Sequence, residues 1–253
     1  MNGFPIISLL TLTPLAGAIL LWLIGKRVDD RAIIKLGFGF TGLTFLLSVV
    51  LGLNFDPTSG DFQLVERYTW IPTLNLDYSV GVDGLSLLMI WLTTLLIPIS
   101  LLTAPSLRTN RHQYTALVLL LERGLIGTFT AMDFFHWFLY WEVCLIPAFF
   151  LIRLWGGPGR TKAAVQFFIY TFVGSVGLLL SFLALFAASG TFEFSLLAEQ
   201  AQSGELMANI ADNLGWANVP IKWIGMILFC LAFLGVAVKV PLFPFHTWLP
   251  STY

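Results

Sequence analysis

Charge is what this chain has least of. Only 11% of its 253 residues are Asp, Glu, Lys or Arg, against roughly 25% in a soluble domain. That scarcity excludes an ordinary water-soluble fold, and no nucleic-acid partner is expected. Cysteine is nearly absent as well. Cys144 and Cys230 both fall inside apolar stretches and read as packed thiols rather than a disulfide. There is no C-x-x-C, haem or iron–sulfur spacing, and no glycine-rich nucleotide loop between a strand and a helix. Gly156–Gly159 reads as a tight inter-helix turn. No histidine or cysteine cluster has metal-ligand spacing. The chain is therefore expected to hold no cofactor and no metal of its own. A cleavable leader is not expected: the first apolar stretch is too long and no A-x-A-like site follows it.

What is present is long and hydrophobic. Uncharged stretches of ~20 residues match a bilayer core at ~1.5 Å rise per residue. The expected fold is all-α: an integral membrane, polytopic helix bundle with about seven spans, forming one transmembrane domain over residues 1–253. The spans are read at Phe4–Gly25, Ala32–Leu53, Val80–Thr103, Gln113–Ala131, Phe134–Leu154, Ala164–Ala188 and Ile221–Leu249. Alternate connections are basic: Lys26, Arg27, Arg31 and Lys35, then Arg108 and Arg111, then Arg153, Arg160 and Lys162. The opposite connections carry Asp56, Asp61, Glu66, Asp77, Glu193, Glu199, Glu205 and Asp212. The positive-inside rule then puts the amino terminus on the lumenal or periplasmic side. Nothing in the two long connections, about Asn54–Ser79 and Ser189–Pro220, reads as a separate domain.

Four strong ionisable residues remain deep in spans: Glu122, Arg123, Glu142 and Lys239. A charge at that depth costs at least ~2.5–3.5 kcal/mol. Such groups pair inside the bundle or mark an ion path; the bland alternative is a static pair that fixes helix register. Spans 4 and 5 turn near Asp133, which places Glu122, Arg123 and Glu142 all ~13–17 Å from the turn. Consecutive Glu122 and Arg123 point ~100° apart and cannot both face one partner.

Lys239 precedes Pro241 and Pro244. Each proline lacks an N–H and steers its predecessor away from helix, so the helix should break just after Lys239. A broken span exposes carbonyls, which is tolerable only inside protein or beside water. A lysine there can release its proton when a carboxylate withdraws and regain it when one returns. An arginine stays charged. A kink that only shapes packing is the alternative.

KVPLFPFHTWLP at Lys239–Pro250, FFHWFLYWEVCLIPAFFLIRLWGG at Phe134–Gly157, GVDGLS at Gly81–Ser86 and TKAAVQFFIYTFVGS at Thr161–Ser175 strongly resemble helices seven, five, three and six of the antiporter-like subunits of respiratory complex I. The resemblance points to the M-type, or chain 4, branch of complex I and its cyanobacterial and chloroplast NAD(P)H–plastoquinone relatives. The resemblance implies the first half of an inverted-repeat antiporter-like fold with a broken seventh helix. It implies proton translocation in which Glu142 and Lys239 form a pair whose opening moves a proton. Glu122, Arg123 and His246 are expected as secondary members: Arg123 would compete with Lys239 for Glu142, and His246 would either relay the proton onward or make a structural hydrogen bond.

Redox chemistry would then lie in partner subunits that hold NAD(P)H or ferredoxin, iron–sulfur clusters and quinone. Further antiporter-like subunits would be neighbours in the bilayer. The implied location is a cyanobacterial thylakoid membrane, with a bacterial plasma membrane as the alternative. Family members run about twice this length, so the chain is expected to be a fragment. Ser251-Thr252-Tyr253 stands where D-A-H is common, Arg123 where a small residue is expected, and His136–Trp141 is unusually aromatic. These departures imply a specialised paralogue, such as a chain-4 variant of a CO2-uptake complex. Two rivals stay open: a subunit of a Na+/H+ antiporter with no redox link, and a scaffold subunit that moves nothing. His136 is expected to pack, and His112 needs no special role.

Overall fold

The structure is a computed structural model and describes residues 4–74, 76–102, 110–213, 215–216 and 218–252. Thr103, Arg108 and Tyr253, named above, lie outside these. Helices dominate: α1 Ile6–Ile24, α2 Asp30–Leu53, α3 Gly84–Leu101, α4 Arg111–Thr130, α5 Phe134–Val143, α6 Leu145–Trp155, α7 Arg160–Ser189, α8 Phe194–Ser203, α9 Glu205–Asn213, α10 Ile221–Lys239 and α11 Leu249–Thr252. Six stretches are long and apolar enough to cross a membrane, with α5 and α6 counted together. The helix α4 has 20 residues, enough to cross, but Glu122 and Arg123 make it the least apolar. It stands at the fourth of the seven expected spans, and the other six meet the measure of length and apolarity. Large side chains such as Leu12, Ile19, Trp22, Leu46, Leu92 and Leu96 stand exposed on these helices. A bilayer core, not water, is the solvent such faces fit.

The chain divides into two compact units. The first takes residues 1–68, 78–132 and 139–151; the second takes 69–77, 133–138 and 152–253. In the first, α1 to α4 pack around apolar clusters, two of which draw on α1. One joins Ile6, Ile7 and Leu10 of α1 to Leu51, Val80, Val82, Leu87, Ile90 and Ile126. The other, further along the helices, joins Ala18, Leu21, Ile33, Ala116 and Leu119. In the second unit α7 packs on α10, and Phe134 stacks on Phe182 at 3.7 Å between ring centroids.

The first long connection is not featureless. Gln63–Ile71 (β1) and Leu76–Val82 (β2) form a two-stranded sheet. Val80 to Val82 therefore belong to a strand, not to span 3 as the sequence suggested. That helix starts at Gly84, where Asp83 accepts the Ser86 N–H at 2.7 Å and donates its own N–H to Ser86 Oγ at 2.7 Å. This reciprocal cap, a capping box, satisfies donors that the first helical turn leaves open. The second long connection folds into α8 and α9, which bury Leu197, Leu206 and Ile210.

Glu66 was read as a loop charge, yet it is only 8% exposed. Its carboxylate accepts the N–H of Ile7 at 2.6 Å and of Ser8 at 3.1 Å, and it bonds the Ser8 hydroxyl. It thus sits on the positive end of α1 and ties the hairpin to that helix. Ser8 Oγ also lies 3.1 Å from the Tyr78 hydroxyl. Burial pushes that phenol above its ordinary pKa, opposed by hydrogen bonds from Ser8 and Thr11. Glu66→Ala leaves two buried N–H groups without an acceptor, a loss of roughly 1–3 kcal/mol. Trypsin should then cut at Arg67 faster than in the wild type, with the rest of the digest unchanged.

Candidate functional site

Lys239 ends its helix, as the prolines require. The chain does not simply fray there. The Val240 N–H reaches back to Val236 O at 2.8 Å, and the Leu242 N–H to Ala237 O at 2.8 Å. The Trp248 indole N–H donates to Val238 O at 2.9 Å. Trp248 is 5% exposed, so a buried aromatic ring replaces a backbone donor that the helix has lost. The segment then continues as a 3-10 turn over Phe245–Trp248 and as α11.

The α7 residues Gln166 and Tyr170 pin this segment. Gln166 Nε2 donates to Thr247 O at 3.2 Å, and Ser251 Oγ donates to Gln166 Oε1 at 3.1 Å. Thr247 Oγ1 bonds the Tyr170 hydroxyl at 2.9 Å. Neither residue was singled out in the sequence. Polar residues inside an apolar span are the signal that would have found them. His246 sits half-buried on the 3-10 turn, its Nδ1 buried with no hydrogen-bond partner among the described residues.

Glu142 lies at the end of α5, half-buried, in the first unit. The fifth span was read as continuous, but it is interrupted at Cys144, between Val143 and Leu145. The cause is Pro147. It has no N–H for Val143 O, four residues earlier, so the ladder is broken just after Glu142. Both Glu142 and Lys239 thus stand where a proline interrupts the helical ladder on their carboxyl-terminal side.

Glu122 is wholly buried on α4, at 0% exposure. Arg123 beside it turns to a different face. Its guanidinium carbon lies 5.3 Å from the centre of the Tyr140 ring, a cation–π contact. Gly124 and Gly127 let α4 and the Tyr140–Cys144 stretch come this close. A Cβ on Gly124 would stand 2.5 Å from Cys144 Sγ, and one on Gly127 would run into the Tyr140 ring. Gly127→Val should therefore force the two segments apart, at roughly 1–3 kcal/mol or more. A lower melting temperature of the assembled protein checks this, with Gly127→Ala milder.

His136 packs as expected, hydrogen-bonded to Asp133. Its Nδ1 lies 2.6 Å from Asp133 Oδ2, and its N–H donates to Asp133 Oδ1 at 2.9 Å. Its ring lies 5.2 Å from Trp70. Glu142, Glu122 and Arg123 belong to the first unit; Lys239, His246 and His136 belong to the second.

The sequence pattern of the NADH:quinone oxidoreductase/Mrp antiporter membrane family matches residues 131–253, the stretch that holds Glu142, Lys239 and His246. The chain is similar to NADH-quinone oxidoreductase subunit M of Rhodobacter capsulatus, at 36% identity over 98% of this chain and 48% of that one. It is as similar to the chloroplastic NAD(P)H-quinone oxidoreductase chain 4 of Chara vulgaris, at 36% identity over 100% of this chain and 48% of the other. Among solved structures, respiratory complex I from Thermus thermophilus matches with a TM-score of 0.75 at 29% identity, covering 97% of this chain and 46% of that chain. The chain spans about half the length of the curated relatives it matches.

Proposed function

We propose that the chain is a proton-translocating membrane subunit of an NAD(P)H- or ferredoxin-driven quinone oxidoreductase. Its redox groups, the iron–sulfur clusters and the quinone, are held by partner subunits. Lys239 carries the proton, Glu142 is the carboxylate that approaches and withdraws, and His246 passes the proton onward. Arg123, held over Tyr140, sets the fixed positive charge near the carboxylate. The membrane is a thylakoid, with the amino terminus on the lumenal side; the alternation of basic and acidic connections supports that orientation.

The observation that carries this reading is the helix end at Lys239. An amine stands beside carbonyls that a tryptophan and a backbone N–H have to cap. A packing helix has no use for that arrangement, whereas interrupted spans recur at ion sites of transporters.

Isolating the native complex through a tag on this chain tests the reading. Iron–sulfur and quinone-reducing subunits should come with it, and vesicles holding the complex should move protons when the electron donor is added, with no need for sodium. A complex that exchanges sodium for protons and lacks redox partners would contradict it.

A further inference from the structure

Glu122 has a second property besides burial. Neither Oε1 nor Oε2 has a hydrogen-bond partner among the described residues. Arg123 faces Tyr140 instead, and Glu122 forms no ion pair among the described residues. An unsatisfied buried polar group is costly, and more so if it is charged. Leucine at this position would avoid that penalty entirely.

Its level in the first unit is unusual. On α4, Glu122 stands between Leu119 of one apolar cluster and Ile126 of the other. The neighbouring helices turn polar at the same level. On α1, Thr11 falls between Leu10 and Ala18. On α2, Thr41, Thr44 and Ser48 fall between Phe40 and Leu51. On α3, Thr94 follows Ile90. Thr41, Thr44, Ser48 and Thr94 are all 0% exposed. The unit is therefore layered: apolar, polar, apolar. Small residues let the helices close around it, since a Cβ on Gly17 would meet Phe40 at 2.6 Å and Leu119 at 3.0 Å.

The hydroxyls of this layer have already committed their protons. Thr41 donates to Gly37 O at 3.1 Å, Thr44 to Phe40 O at 2.9 Å and Thr94 to Ile90 O at 3.0 Å. Ser48 donates to Phe45 O at 2.7 Å. Each oxygen still has lone pairs. The layer thus offers acceptors and almost no free donors. That suits a group that brings its own proton, and it gives a bare carboxylate nothing to bond. Thr115 lies two turns before Glu122 on the same face of α4, about 10 Å away. Its buried Oγ1 also has no partner among the described residues.

We propose that Glu122, alone among buried hydroxyls between two apolar clusters, is a second proton-holding site, separate from Glu142 and Lys239. Its carboxylate takes H+ from hydronium, forming the acid and a water molecule, and returns the proton to water in the reverse step. The proposal rests on the proton-transport reading above and extends it to the first four helices.

Redox-induced infrared difference spectra of the complete complex in native membranes, in H2O and in D2O, test it. A carboxylic-acid band that shifts in D2O should be present in the wild type. It should vanish in Glu122→Gln, move in Glu122→Asp and persist in Glu142→Gln. Dicyclohexylcarbodiimide, which modifies protonated carboxyls in apolar surroundings, should label the Glu122 peptide of the unmutated complex, so the test survives a variant that fails to assemble. An unlabelled Glu122, a band unchanged in Glu122→Gln, or a band that responds to sodium rather than to D2O would overturn the proposal. Failure of the transport reading itself would look different: proton movement intact in Lys239→Ala, whatever the Glu122 band does.

Discussion

Lys239→Ala should leave the complex assembled and nearly stop its proton transport. Removing an ammonium from the last turn of α10 forfeits about 0.3–1 kcal/mol of interaction with the helix dipole. That is too little to unfold a helix whose end is held by the Trp248 indole and by Gln166 and Tyr170 on the next segment. Losing a positioned proton carrier typically slows proton transfer by roughly 10²–10⁴-fold. The kinetic loss therefore far exceeds the structural one. Electron transfer to quinone should slow with it if the two are tightly coupled. Proton movement per electron, measured in sealed vesicles beside the amount of assembled complex, separates the two effects. A fully assembled complex that still transports at the wild-type rate would remove Lys239 from the path.

Glu142→Gln should produce a loss of similar size by a different route. Glutamine keeps the shape and the packing but cannot carry the negative charge that draws a proton on and off the amine. Glu142 stands just before the interruption that Pro147 imposes on the fifth span, so its backbone can shift without dismantling a continuous helix. Glu142→Asp retains the charge on a side chain shorter by one methylene and should keep part of the rate. The expected order is wild type, then Asp, then Gln, with assembly equal in all three. Equal rates in Gln and wild type would make Glu142 a packing residue.

Much of this was legible in the sequence. The spans follow from the cost of charge in a bilayer, which permits only long uncharged runs. The helix end at Lys239 follows from Pro241 and Pro244. The turn between α4 and α5 is near Asp133, where the residue counts put it. What escaped reading depends on side chains meeting across long sequence separations. Glu66 looks like any loop acid, since nothing in QLVERYTWI says that its carboxylate will cap Ile7 and Ser8, 59 and 58 residues earlier. The indole of Trp248 resembles an interface anchor until the carbonyl of Val238 loses its helical donor. The interruption at Cys144 is a different kind of omission, because Pro147 was visible and its effect on Val143 O was calculable. That Glu122 would lie away from water was legible, and it is buried. Its lack of a partner was not, because that emerges only once the hydroxyls around it are seen bonding to their own helices.

Lys239→Arg is the most direct measurement of the central claim. Arginine keeps the positive charge at the end of α10 and does not give up its proton. Proton movement per electron should fall with it as far as with alanine, in a complex that assembles as well as the wild type. If the arginine variant transports at the wild-type rate, the positive charge alone is sufficient, and Lys239 does not carry protons.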